Sequence, residues 1–102
     1  MPRYISLWEM DTSRMPSDPK ERLALLQKMI DMTKQSLKEN PGSQWGTFVG
    51  ENKGFSLSSE GGTWQGMMKI QQMFAPYVHS KVYQAASIEE AEEVLKSMMQ
   101  QK

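Results

Sequence analysis

The sequence predicts an α+β domain in which four strands form one antiparallel sheet and two crossover helices cover a single face of it. Three observations predict this. Residues alternate with period two in several separated segments, capping signatures open the helical stretches between them, and the elements follow in the order strand, helix, strand, strand, helix, strand. That is the split βαβ order. A further capping box close to the end adds a C-terminal helix.

From Arg3 to Met10, Ile5 and Leu7 alternate with Tyr4, Ser6 and Trp8, which reads as a strand with both faces worth covering. A loop containing Pro16 follows. Asp18, Pro19 and Glu21 then stand as N-cap, N1 proline and capping-box glutamate. Leu26, Met29, Ile30, Thr33 and Leu37 recur at helical spacing, and Asn40, Pro41 and Gly42 end the helix. Trp45, Thr47 and Val49 alternate with Gly46, Phe48 and Gly50, and after a turn at Glu51-Asn52-Lys53-Gly54 a second alternation begins at Phe55 and Leu57. This predicts a hairpin. Gly61 and Gly62 break the strand, Thr63 to Phe74 has helical periodicity, and Pro76 stops it. Tyr77 to Tyr83 is the fourth strand, with Val78 and Val82 opposite Tyr77, His79, Lys81 and Tyr83. Ser87 and Glu90 open the last helix, whose apolar edge is Val94, Leu95, Met98 and Met99.

The chain has 102 residues with twelve basic and twelve acidic side chains and no cysteine. Such a length fits one domain over residues 1–102 and excludes a two-domain enzyme. Balanced charge gives no footprint for nucleic acid or for a polybasic membrane anchor. Charged residues among the first fifteen interrupt any signal-peptide core, and no apolar run reaches the length of a membrane span. The absence of cysteine removes disulfides, thiolate metal sites and a cysteine nucleophile, so the expected compartment is the cytoplasm. At 38% hydrophobic residues the core of a monomer is thin, which favours self-association as a homodimer.

Matching aliphatics with aliphatics puts Ile5, Leu7, Val78 and Val82 under the helices. The bare face then carries Tyr4, Trp8, Tyr77, His79 and Tyr83, too aromatic for open water. Element order, length, the opening Pro2-Arg3-Tyr4-Ile5-Ser6-Leu7 strand and the added C-terminal helix resemble the dimeric α+β barrel superfamily of ferredoxin-like folds. Within it the chain is most similar to small, functionally unassigned prokaryotic domains. The resemblance implies two sheets facing each other across a two-fold axis with a pocket between them. It implies no particular reaction, since cofactor-free monooxygenases, haem-degrading enzymes and lactone isomerases share the fold. Haem ligands in that group sit on a helix, whereas His79 falls in a strand, which argues against haem.

His79 is the only histidine, so His-cluster zinc sites are excluded and no metal is expected. Its catalytic reading is a general base inside the pocket, and its structural reading is an interface or strand-end histidine. The expected ligand-binding residues are Tyr4, Ser6, Trp8, Thr47 and Tyr83, around a small apolar or aromatic molecule. Trp45 and Trp64 read as packing or pocket lining. Gly61-Gly62-Thr63 reads as a tight turn rather than an anion cradle, because it lacks the P-loop lysine. The ten methionines fall mostly at helical positions as core filler, so copper is rejected and no cofactor is expected. Two alternatives stand beside ligand binding: a cofactor-independent monooxygenase or isomerase using His79, and a purely structural interaction domain.

Overall fold

The computed structural model describes residues 3–100. Pro2, quoted above for the opening strand, lies outside them, as do residues 1, 101 and 102. β1 (Arg3–Met10) leads through a 3-10 turn (Thr12–Arg14) into α1 (Pro19–Glu39), followed by β2 (Gln44–Thr47), β3 (Lys53–Leu57), α2 (Trp64–Phe74), β4 (Val78–Ala85) and α3 (Ile88–Gln100). The four strands form one sheet in the order β2-β3-β1-β4, and every neighbouring pair is antiparallel. Among the described residues no helix is long and apolar enough to cross a membrane.

The helix starts follow from local chemistry. Asp18 Oδ1 accepts from the Lys20 N–H at 3.0 Å, and Pro19 occupies the position where a missing N–H costs nothing. Thr63 caps α2 by accepting from the Gly66 N–H at 3.1 Å. At α3 the capping box is reciprocal: the Ser87 N–H donates to Glu90 Oε1 at 3.0 Å and the Glu90 N–H to Ser87 Oγ at 3.1 Å. The glycine pair before α2 makes the expected tight turn, with Gly61 at φ 84.

The hairpin differs from the expected one. Its turn runs over residues 48–52, closed by Phe48 N–H to Lys53 O at 2.9 Å and Glu51 N–H to Phe48 O at 3.0 Å. Lys53 and Gly54, read as turn residues, are the first two of β3. Gly54 serves the sheet: it pairs with Trp8 on one side and Thr47 on the other, and a Cβ there would stand 2.5 Å from Trp8 Cζ2 and against the Gly46 carbonyl. The glycine makes room for an indole.

The face assignment of β1 is overturned. Ser6 is 7% exposed and borders, with Trp8 and Met10, the space under α1 and α2, whereas Leu7 is 44% exposed on the opposite face. The register fixes the rest. Ser6 pairs with Val82, Trp8 with Ser80 and Met10 with Val78, so Val78 and Val82 lie under the helices as expected while Ile5 and Leu7 do not. Trp8 and Trp45 stack on that covered side with centroids 5.4 Å apart and planes 10° from parallel. The tryptophan pair, with the Trp8 ring over Gly54, outcompetes the aliphatic residues for the covered face. Ile5, Leu7, Phe48, Phe55, Leu57 and Tyr83 are left on the open face, where Phe55 lies over Gly46 and tilts against Phe48.

α1 lays Leu26, Met29, Ile30, Thr33 and Leu37 toward the sheet, as its periodicity required. Yet only Met29 and Met67 are buried apolar residues among those described. α3 covers nothing: all of its residues are exposed. The radius of gyration is 17.0 Å and the extents 64 × 25 × 23 Å, against about 13 Å for a compact chain of this length. The excess is an element that leaves the body of the fold.

Candidate ligand cavity

The space between the sheet and the two crossover helices is a partly open cavity of about 530 Å³, within the range of small-molecule sites. Its roof is Leu26, Met29, Ile30 and Leu37 of α1 with Met67, Ile70 and Phe74 of α2. Its floor is Ser6 and Trp8 of β1, Trp45 and Thr47 of β2, Ser56 of β3 and Ser80 of β4. A sheet that only supported helices would present branched aliphatics here. This one presents hydroxyls and two indoles, with Met10 and Val78 at one end.

Alternation puts these groups together. Ser6 and Ser56 are direct cross-strand partners, Ser80 is opposite Trp8, and Trp45 is opposite Ser56. Ser80 Oγ accepts from Gln71 Nε2 of α2 at 3.0 Å, tying the floor to the roof. Trp8 Nε1 is buried and has no hydrogen-bond partner among the described residues. An unpaired donor of this kind costs about 1–3 kcal/mol; as the ring stands the N–H is shut off from solvent, so an acceptor recovers that penalty only where the indole turns its N–H toward the cavity.

Of the expected ligand-binding residues, Ser6, Trp8 and Thr47 come together in this cavity. Tyr4 sits on the same side of β1 without bordering it, and its backbone exchanges hydrogen bonds with Ser58, the Tyr4 N–H donating to Ser58 Oγ at 2.8 Å. Tyr83 is on the open face and 52% exposed. His79 also belongs to that face, pairing with Glu9. Sequence reasoning left Ser56, Ser80 and the inward stripe of α2 out of the site. The signal available was the serine at alternate, face-matched positions of three strands.

His79 has a partner of its own. Its Nε2 stands 3.3 Å from Asp11 Oδ2, with Arg14 Nε 3.9 Å from the same oxygen. Its side chain is 68% exposed. The Ser13 side chain, foremost, and then His79 hold the Asp11 carboxyl below its ordinary 3.8. A carboxyl lowered by folding stabilises the fold above its unfolded pKa and loses that contribution as pH falls through the folded value. Asp11→Ala is therefore expected to lower the urea midpoint at pH 5. The gap from the parent protein should close as pH is taken well below 3.8, whereas a gap constant with pH would assign the effect to the turn backbone alone.

The exposed Asp11–His79 contact at the sheet edge and the hydroxyl-floored cavity beneath the helices are thus separate features, and only the second combines volume, apolar walls and an orphaned donor. Compared with known proteins, the chain matches no family model, no curated protein and no solved structure.

Proposed function

We propose that this protein binds a small, flat, largely apolar molecule carrying at least one acceptor oxygen, in the cavity between its sheet and α1 and α2, and that it does so as a homodimer of a ferredoxin-like chain. The observation that carries the reading is the buried, unpartnered Trp8 Nε1 on a floor that also holds Ser6, Ser56 and Thr47. Aliphatic and thioether walls favour an aromatic or unsaturated body over a charged one. The stacked Trp8 and Trp45 rings supply a broad flat surface, and the hydroxyls and the indole N–H orient whatever oxygen the molecule carries. The return of β4 to pair with β1, on the side away from β3, supports the ferredoxin-like relationship. The open face, with Leu7 44% and Tyr83 52% exposed, supports the second copy. His79 does not border the cavity, so no proton transfer by it enters this function.

Native mass spectrometry of freshly purified protein is expected to show a fraction carrying a small organic molecule, released on unfolding. Protein at its bare mass, with Trp fluorescence unmoved by a panel of aromatic and unsaturated carbonyl compounds, would overturn the proposal.

A further inference from the structure

Two unpartnered apolar surfaces lie on this chain, and each has the shape the other needs. One is the stripe of α3, where Ile88, Leu95, Met98 and Met99 are 77%, 56%, 64% and 75% exposed. The other is the open sheet face, centred on Leu7, Phe55 and Tyr83. We propose that α3 is an exchanged arm: in the dimer the α3 of one copy lies across the open sheet face of the other. This rests on the homodimer reading above and adds which element covers the face.

The dimensions match. A helix of 13 residues is about 20 Å long and about 10 Å wide, and strands about 4.8 Å apart let it cover the neighbouring strands β3, β1 and β4. Charge matches as well. Glu90 and Glu92 border the apolar stripe, and α3 carries Glu89, Glu90, Glu92 and Glu93 against the single Lys96. The open face offers Lys53 and Lys81 around its apolar centre, with Glu9 the one carboxylate paired among them. An isologous dimer makes this contact twice, burying on the order of 1,200 Å², the size of a specific interface. Two sheets packed directly on each other would cover the faces and leave both α3 stripes in water. Exchange covers all four surfaces.

The chain lacks cysteine, so introduced thiols report cleanly. Leu7→Cys and Leu95→Cys fall at exposed positions, where substitutions are expected to leave the fold intact. With a short bismaleimide linker, the doubly substituted chain is expected to be joined at dimer mass, while each single variant stays unjoined. Leu95→Glu is expected to convert the dimer to a monomer in light scattering, and Glu93→Ala to leave it a dimer. Linkage of Leu7→Cys alone would mean facing sheets: the homodimer would stand and the exchange would fall. Linkage of Leu95→Cys alone would mean paired arms and would also overturn it. Joining within one chain at monomer mass, or a monomer for the parent protein at every concentration, would overturn both the exchange and the homodimer. None of these outcomes depends on occupancy of the cavity on the other side of the sheet.

Discussion

Trp8→Ala is expected to cost about 3 kcal/mol of fold stability, read as a lowered urea midpoint at unchanged slope, the low end for truncating a large aromatic residue. The indole is half-buried, stacks on Trp45 and lies over Gly54. Its loss takes away the ring contact and enlarges a space that is already about 530 Å³. Its neighbours across the strand pairs, Gly54 and Ser80, are too small to fill that space. Trp8→Phe separates the two functions of the residue. It keeps a ring against Trp45 and deletes the unpaired N–H, so the penalty should fall to within about 1.5 kcal/mol, while affinity for an acceptor-bearing ligand should drop about tenfold, the equivalent of one hydrogen bond of about 1.4 kcal/mol. Equal losses for both variants would show the N–H to be incidental.

How much of this was legible in the sequence depends on the range of the signal. Caps are local: Asp18 with Pro19 and Ser87 with Glu90 lie within a few residues of the bonds they make, and both helix starts were readable from them. The inward stripe of α1 was readable for the same reason, since its period is set within one element. The pairing of strands is not local. Ser6, Trp8 and Thr47 were rightly grouped as one face, but His79 and Tyr83 were joined to them, and a shift of one residue in the β1–β4 register exchanges every side chain between faces. Trp8 is opposite Ser80, and His79 is opposite Glu9 on the other face. The rule that aliphatics pack with aliphatics misled because both alternating sets of β1 are largely apolar. The glycine at position 54 was informative and was read as a turn; its partner in the sheet is the bulkiest residue of β1.

The consequence is a sheet with apolar residues on both faces. Hydroxyls lie beneath the helices beside Trp8, Trp45, Met10 and Val78, while Ile5, Leu7, Phe55 and Tyr83 face outward. Hydrophobic burial is the dominant favourable contribution to folding, so apolar residues left outside favour covering by another surface. The polar floor is then left for the proposed occupant. The proposed ligand cavity and the proposed second copy are linked through this one inversion of β1.

That inversion makes a cavity-filling substitution the sharpest test of the floor. Ser56, the next-to-last residue of β3, is half-buried and opposite Ser6 and Trp45. Valine there adds two methyl groups to a strand position that suits a β-branched residue, and it projects them into space rather than into packed atoms. If the floor existed only to support the helices, Ser56→Val would improve it, since filling a cavity commonly gains about 0.5–2 kcal/mol. We expect that gain in the urea midpoint of the ligand-free protein. We also expect ligand affinity to fall at least about tenfold, because the methyl groups take up volume and remove a hydroxyl from the surface that orients the acceptor. Stability and binding should therefore move in opposite directions, as they do where a polar cavity is retained for use. A Ser56→Val protein that is less stable than the parent would show that its hydroxyl supports the fold, and one that is more stable with binding unchanged would place the ligand elsewhere.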